Sequence, residues 1–183
     1  MRPERHVAFV GFGSNLGDSL GELKTACSEL ATLSETTLNG CSAVYRSAPI
    51  GVAPQPDFLN ACCRLTTALG ARSLLAELMR IEQLRGRTRS EKGAPRVLDL
   101  DLLLYDDLIC DEPGLTLPHP RLHERAFVLY PLADLDATII IPGRGSVRAL
   151  LKRCAGQRIE RLADTWLHVP VHGSDHDERA RSA

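Results

Sequence analysis

Apolar residues at the start of the chain form a strand-like run and then a helix-like repeat. Residues 6–13 (HVAFVGFG) are an unbroken apolar run that ends in glycine, which predicts a strand buried on both faces. Apolar residues then recur at helical spacing and predict a helix over 19–33. Ser19 and Glu22 have the spacing of a capping box, which places the start of this helix.

The next segments predict two strands, a long loop and a second helix. β-Branched and aromatic residues favour a strand over 35–46, where an Asn-Gly pair indicates a turn or a bulge. Three prolines make 47–57 a long loop, and long ordered loops are often functional. A strand pattern resumes over 58–68, and a helical pattern follows over 72–85.

A fourth strand completes the core. A loop over 86–97 leads into residues 98–105 (LDLDLLLY), which alternate for two periods and then become apolar. The resulting order, β-α-β-β-α-β, is that of a ferredoxin-like fold of the α+β class with an antiparallel sheet. Helices predicted near 121–130 and 146–154 form a C-terminal helical extension.

Length and composition bound the domain count and the partners. With 183 residues and 44% hydrophobic content, we expect a single domain over 1–167 and a disordered tail over 168–183. A formal net charge of −1 argues against binding to nucleic acid or to an anionic membrane. No apolar run is long enough to span a bilayer and no secretion signal precedes the first strand, so we expect a cytoplasmic protein. We also expect a monomer.

The six cysteines include no CxxC pair, which favours reduced thiols over a disulfide framework. His119 and His123 are four residues apart, and His168, His172 and His176 lie near the end of the chain. A structural zinc site needs short-spaced cysteine or histidine pairs on two sides, and we find only one such side. His119 and His123 could hold a metal at helical spacing, but no third ligand is evident.

Two aspartates in the fourth predicted strand are the sharpest chemical signal. Because strand side chains alternate, Asp99 and Asp101 point to one face while the leucines between and beside them point to the other. Like charges this close raise each other's pKa unless a cation lies between them, and carboxylate oxygens suit magnesium. The alternative is a solvated strand face.

A basic segment precedes these aspartates, and the segment that contains and follows them is acidic. Residues 80–96 carry six basic against two acidic side chains, whereas 99–112 carry six acidic side chains and no basic one. Guanidinium groups that open onto paired carboxylates provide what a magnesium polyphosphate needs. Further along, His119 and Arg125 could donate hydrogen bonds to the same phosphates, or could be surface residues.

Two phenylalanines next to loops suggest a site for a flat heterocycle. Phe58 closes the proline-rich loop and Phe127 follows Arg125, so the two rings could stack on a ligand whose edge contacts Asn60. Residues 11–17 (GFGSNLG) do not fit a dinucleotide fingerprint or a Walker A loop. Any nucleotide must therefore be held by the arginines and a metal.

Together these motifs resemble the 6-hydroxymethyl-7,8-dihydropterin pyrophosphokinase family of folate biosynthesis, over roughly residues 7–162. The matching segments, in order, are GSNLGD (13–18), YRSAPIG (45–51), QPDFLNA (55–61), IEQLRGRTR (81–89), PRVLDLDLLLY (95–105) and LPHPRLHERAFVL (117–129). The resemblance implies a ferredoxin-like fold and transfer of the β,γ-diphosphate of ATP to the pterin hydroxymethyl group, with release of AMP.

The resemblance also implies roles for individual residues. Asp99 and Asp101 would ligate two magnesium ions, and the catalytic residues would be Arg87, Arg96 and Asp101. The ATP-binding residues would be Glu82, Arg87, Arg89, Arg96, Leu102, His119 and Arg125. The pterin-binding residues would be Gly13, Asn15, Ser47, Ile50, Phe58, Asn60 and Phe127.

The sequence departs from the family pattern at two places. The segment between Arg89 and Arg96 lacks a tryptophan that some members have there, and Pro120 follows His119 where others have tyrosine. Two alternatives share the predicted fold: an RNA-recognition module, which needs aromatic residues on the central strands, and a sensor domain or inactive relative, which would release no AMP.

Overall fold

The computed structural model describes residues 3–49, 54–86 and 95–163. The strands are β1 (His6–Ser14), β2 (Thr36–Cys41), β3 (Tyr45–Ser47), β4 (Phe58–Thr67), β5 (Asp99–Tyr105), β6 (Cys110–Glu112), β7 (Leu115–Leu117), β8 (Ile140–Ile141), β9 (Gly145–Ser146) and β10 (Ile159–Arg161). The helices are α1 (Ser19–Ala31), α2 (Ala71–Leu84), α3 (Ala126–Leu135) and α4 (Val147–Arg153), with a short 3-10 helix (Leu122–Glu124) before α3. The predicted tail over 168–183 lies outside the described residues.

The main sheet has the antiparallel ferredoxin-like topology that the sequence predicts. Its strands run in the order β10-β3-β4-β1-β5, and β2 also pairs with β4. β1 is therefore central, with β4 on one side and β5 on the other. The second predicted strand is divided into β2 and β3, and the pairing of β2 with β4 shifts register between Leu38 and Gly40. Of the two alternatives for the Asn-Gly pair, a turn or a bulge, the structure has the irregularity inside the strand.

The two faces of the sheet have different coverings. One face packs on α1 and α2, and the residues of β1 that point to it are Ala8, Val10 and Phe12. The opposite face carries Phe9 and Cys62, which pack against α3 and α4. These two helices form a C-terminal extension beyond the βαββαβ core, as the sequence predicts. α4 lies at the predicted place, whereas α3 begins five residues after the predicted start at 121, since residues 122–124 form the 3-10 helix instead.

The predicted capping box of the first helix is wrong in its residues, although the helix begins at Ser19 as expected. The N-cap is Asp18, whose carboxylate accepts a hydrogen bond from the backbone N–H of Gly21. Glu22 instead forms a two-hydrogen-bond ion pair with Arg85, the residue that follows α2. The bidentate fit of a guanidinium to a carboxylate offers Glu22 a stronger partner than its own helix start.

Helix α2 ends at Leu84, one residue before the predicted end at 85. Gly86 has a positive φ of 82°, a conformation that side chains other than glycine rarely adopt. Within the three described ranges, none of the helices combines the length and the apolar character that crossing a bilayer requires.

Candidate active site

An open cavity of about 380 Å³ lies on the face of the sheet that α3 and α4 cover, next to α3. Its volume is within the range of small-molecule sites. The lining residues come from β1, β3, β4 and β5, from the segments before β4 and β5, from the segment between β7 and the 3-10 helix, and from Arg125 and the start of α3. Those with chemical groups suited to a ligand are Ser47, Gln55, Phe58, Asn60, Arg96, Asp99, Asp101, His119, Arg121, Arg125 and Phe127.

Glycines in β1 leave room for the cavity. Gly11 and Gly13 lie on the same sheet face as Phe9 and line the cavity. The Leu103 side chain packs over Gly11, 3.2 Å from where a Cβ atom would lie, so the open space is at Gly13. A Cβ atom on Gly13 would lie 3.7 Å from Asn60 Oδ1 and 3.8 Å from the Cβ atom of Asp99. Because Gly13 has no side chain, open space remains between the Asn60 amide on β4 and the Asp99 carboxylate on β5.

Both aspartates of β5 line the cavity. Leu98, Leu100 and Leu102 are buried in the core on the opposite face, as strand alternation predicts. The Arg96 guanidinium donates a 2.5 Å hydrogen bond to Asp99 Oδ1, and His119 Nε2 lies 3.9 Å from Asp101 Oδ1. The strand thus presents two carboxylates that face cationic or hydrogen-bonding groups from two other segments.

Burial and neighbouring charges shift the pKa values of Asp101 and His119. Desolvation and the neighbouring Asp99 carboxylate raise the pKa of Asp101. Desolvation lowers the pKa of His119, against the opposing effect of Asp101. A cation bound between the carboxylates would relieve their repulsion.

The aspartates fit a magnesium site that is completed by the substrate. Among the described residues, no group of three or more histidine, cysteine, aspartate or glutamate side chains converges on one point. Magnesium is commonly held by one or two carboxylates, with water and substrate phosphates supplying the other oxygens. Asp99 and Asp101 have the donor chemistry and the shared orientation for such a site.

A second wall of the cavity is suited to a planar, polar ligand. Asn60 is buried, and its Nδ2 donates a 2.9 Å hydrogen bond to Ser47 Oγ, which fixes the amide plane. Phe58 and Phe127 line the cavity from β4 and α3. The Cζ atom of Arg125 lies 5.5 Å from the centroid of the Phe127 ring, so a cation–π contact accompanies this ring.

Arg125 is a half-buried cation at the start of α3. Desolvation lowers its pKa, and its buried Nε has no hydrogen-bond partner among the described residues. A buried donor without a partner is costly unless a ligand or water accepts from it. Arg125 is therefore prepared for an anionic ligand.

The structure brings most, but not all, of the predicted site residues together. The predicted residues that line the cavity are Gly13, Ser47, Phe58, Asn60, Arg96, Asp99, Asp101, His119, Arg125 and Phe127. The predictions for Ile50, Arg87 and Arg89 concern positions outside the described residues.

Three predicted residues do not line the cavity. Glu82 and Leu102 are buried on the opposite face, and Glu82 Oε1 accepts a hydrogen bond from the backbone N–H of Leu100. Asn15 is buried behind the cavity wall, where its amide bonds to protein groups. The side chains of these residues support the site from behind.

Sequence reasoning missed two polar residues of the cavity, Gln55 and Arg121. Gln55 lies in the QPDFLNA segment, three residues before Phe58, so its position in a matching motif was an available signal. Arg121 follows His119 by two residues, but an arginine next to a glutamate-containing turn has the pattern of a surface ion pair. It does form such a pair, with Glu124.

Comparisons with known proteins show which family the chain resembles. The family model described as 7,8-dihydro-6-hydroxymethylpterin-pyrophosphokinase matches residues 9–137. Two relatives named 2-amino-4-hydroxy-6-hydroxymethyldihydropteridine pyrophosphokinase are those of Synechocystis sp., 44% identical over 76% of this chain and 71% of the relative, and of Pseudomonas aeruginosa, 41% identical over 84% and 95%.

A solved structure shows the same fold. The Plasmodium falciparum HPPK-DHPS wild type with pteroate superposes with a TM-score of 0.68 at 13% identity, over 84% of this chain. This chain spans 45% of the length of that protein. With most of its length matched by the family model and by relatives more than 40% identical, the chain belongs to the 7,8-dihydro-6-hydroxymethylpterin-pyrophosphokinase family.

Proposed function

We propose that this protein transfers the β,γ-diphosphate of ATP to the hydroxymethyl oxygen of 6-hydroxymethyl-7,8-dihydropterin, giving the pterin diphosphate and AMP. The relatives named above carry this activity in their names. The observation that carries the proposal is the position of Asp99 and Asp101, side by side in one cavity with Arg96, His119 and Arg125. Carboxylates and cations in this arrangement suit a magnesium-bound polyphosphate.

The pterin half of the cavity is assigned to Phe58, Asn60 and Phe127. The aromatic rings offer apolar faces for a bicyclic heterocycle. The Oδ1 atom of Asn60 can accept a hydrogen bond from the edge of the heterocycle, while its Nδ2 group bonds to Ser47 and to backbone carbonyls, which hold the amide in place. Gly13 leaves the space between this half and the carboxylates open, so the hydroxymethyl group can approach the phosphates.

Asp99 and Asp101 would hold the magnesium, and we propose two ions there. When bound, magnesium neutralises charge on the phosphate oxygens and draws the two substrates together. Arg96 already donates to Asp99, so its guanidinium lies where it can contact both a carboxylate and a phosphate oxygen. The roles of Arg87 and Arg89 in holding the polyphosphate stay predictions.

The other cavity residues would orient and stabilise the phosphates. Diphosphate transfer requires an in-line approach of the alcohol to the β phosphorus, so positioning and charge stabilisation provide most of the catalysis. His119, whose pKa is lowered, is mainly neutral near pH 7 and can donate one N–H to an oxygen. Arg125 would supply its unpartnered Nε–H to a phosphate or to the nucleotide.

We also propose a cytoplasmic monomer that binds no nucleic acid. The net charge of −1 supports the last point, because a nucleic-acid partner is attracted by a basic surface. In addition, the sheet face that is open to ligands carries two aspartates, which would repel a phosphate backbone unless a metal lies between them.

The proposed function is tested by removing each carboxylate separately. Asp99→Ala and Asp101→Ala should each lower AMP formation from Mg-ATP and the pterin alcohol by about 100-fold or more, equivalent to about 2.7 kcal/mol. Asp107→Ala, in the exposed turn after β5, is the matched control and should leave the rate unchanged. Activity within about tenfold of wild type in both cavity variants would contradict the metal assignment.

A further inference from the structure

Asn15 follows the last residue of β1 and lies between two segments that border the cavity. It is 4% exposed, and it does not line the cavity. Its side-chain Nδ2 donates hydrogen bonds to Gln55 Oε1 at 3.0 Å and to the carbonyl oxygen of Pro56 at 3.1 Å. One side chain thus ties the end of β1 to the segment that precedes Phe58.

The same residue holds the backbone of Arg96 from two sides. Asn15 Oδ1 accepts a 2.8 Å hydrogen bond from the backbone N–H of Arg96. The backbone N–H of Asn15 donates to the carbonyl oxygen of Arg96 at 3.0 Å. This pair of hydrogen bonds continues the alignment of β1 with β5, in which Gly13 is opposite Asp99.

The backbone position of Arg96 determines where its guanidinium can reach. Arg96 is three residues before Asp99, and its side chain turns back to donate to Asp99 Oδ1. A long side chain such as that of Arg96 loses rotamer entropy when it is ordered. The hydrogen bonds from Asn15 fix its backbone and Asp99 binds its guanidinium, and together these contacts favour one position of the side chain. The chain of contacts therefore runs from Asn15 through Arg96 to the carboxylates.

We propose that Asn15 is a positioning residue that acts through Arg96, and that it is not a ligand of the pterin. This inference rests on the proposed function. Both hydrogens of the Asn15 amide and its carbonyl oxygen already bond to protein groups, so the buried side chain has no donor left for a substrate. Its donor side holds the Gln55–Pro56 segment, and its acceptor side holds Arg96.

A double-mutant cycle tests the route through Arg96. Asn15→Ala should lower kcat by about tenfold or more, with the KM for Mg-ATP within about threefold of wild type. In the Arg96→Ala background the same substitution should change kcat by less than about threefold, because the group that Asn15 positions is already gone. Losses that multiply in the double variant would overturn the proposal.

The two sides of the amide can be separated with Asn15→Asp. The carboxylate keeps an acceptor for the backbone N–H of Arg96 but loses both donors to the Gln55–Pro56 segment. We expect kcat within about threefold of wild type and a pterin KM raised by about fivefold or more. Equal losses of kcat in the Asp and Ala variants would contradict a role for the acceptor. If Asn15→Ala does not fold, a kcat of Asn15→Asp about tenfold or more below that of wild type would overturn the proposal.

Asn39→Ala is the matched control. Asn39 is in the bulge of β2, and its Oδ1 accepts a hydrogen bond from Thr66 Oγ1, away from the cavity. It should leave kcat and both KM values unchanged, whatever stability it loses. Failure of the proposed function is distinguishable, because wild-type protein would then release no AMP in the presence of the pterin. Failure of this inference alone would leave wild type active and Arg96→Ala impaired.

Discussion

At the scale of single residues, Asp101 has an environment that a bound cation would stabilise. The folded chain desolvates its carboxylate and places Asp99 on the same strand face, and both effects raise its pKa. The ionised form is therefore less favourable in the folded protein than in the unfolded chain. Sites that bind charge are often destabilised in this way, because the ligand compensates when it binds.

Replacing Asp101 by asparagine should separate stability from function. Without magnesium or ATP, Asp101→Asn should have a Tm equal to or above that of wild type, because a repelled charge is removed. Its AMP formation should fall by about 100-fold or more. Thermal unfolding and the pterin-dependent assay measure the two effects, with Asp107→Asn as control. A large loss of Tm would show that the carboxylate stabilises the apo fold.

The pH dependence of this Tm difference has a defined sign. In the unfolded chain Asp101 has its ordinary pKa of 3.8, and in the folded protein its pKa is raised. Wild type is thus penalised relative to the asparagine variant as the pH rises from about 3.8 through the folded pKa, and the penalty is constant above it. Unfolding curves between pH 4 and pH 8 should show the advantage of the variant growing with pH. An advantage that shrinks with pH would contradict this electrostatic account.

At the scale of elements, α2 fixes the part of β5 that carries the aspartates. Glu82 is 3% exposed, and its Oε1 accepts a 2.7 Å hydrogen bond from the backbone N–H of Leu100, the residue between Asp99 and Asp101. This bond crosses from a helix on one face to the strand whose other face forms the site. A helix that contributes no group to the cavity thereby holds the carboxylates in register.

Glu82→Ala should therefore destabilise the fold by about 2 kcal/mol, because it leaves the Leu100 N–H without its buried acceptor. Glu82→Gln keeps an acceptor oxygen and should lose less than about 1 kcal/mol. Urea unfolding of the two variants and wild type provides the comparison. Equal stability of the alanine and glutamine variants would show that the hydrogen bond contributes little.

β1 contributes space to the site. Gly13→Ala should fold normally, because every atom near the new Cβ lies at van der Waals distance, the closest at 3.7 Å. The methyl group would project between Phe58, Asn60 and Asp99, so the pterin KM should rise by about tenfold. Gly40→Ala, whose closest contact is 3.9 Å away from the Cβ, is the control. An unchanged pterin KM in Gly13→Ala would place the pterin elsewhere.

The elements were predictable from sequence where one physical effect dominates. Apolar periodicity located β1, β4, β5, α1 and α2 to within a residue or two. The capping box failed because Asp18 and Ser19 are both capable N-cap residues, and the partner that withdraws Glu22 is Arg85, 63 positions away. A pattern of neighbours cannot reveal a competitor that only the folded chain brings close.

The residues that line the cavity were predicted in part: strand faces could be assigned from the sequence, but which polar side chains are buried behind the cavity could not. Strand alternation alone placed Asp99 and Asp101 on one face. Whether a polar residue of a matching motif faces the ligand or supports the wall depends on packing from other elements. Glu82 and Asn15 lie behind the cavity. Glu82, on α2, bonds to the backbone of β5, and Asn15 bonds to the Gln55–Pro56 segment. Arg121 was missed because its ion pair resembles an ordinary surface pair.

At the scale of the whole molecule, the site exists because the sheet is covered unevenly. α1 and α2 bury one face. α3 and α4 pack on Phe9, Cys62 and Leu103 of the other face, which leaves the cavity where β1 carries Gly11 and Gly13. The ferredoxin-like core alone supports many functions, so the cavity that the C-terminal extension and Gly13 of β1 leave open is the feature specific to this chain.

The most direct test of the account is the identity of the transferred group. Purified protein is incubated with Mg²⁺, 6-hydroxymethyl-7,8-dihydropterin and ATP that carries separate isotopic labels on its β and γ phosphates. The account predicts one AMP for each pterin product, with both labels on the pterin diphosphate, and no reaction when EDTA removes the metal. Formation of ADP with a singly phosphorylated pterin, or release of AMP that does not depend on the pterin, would contradict it.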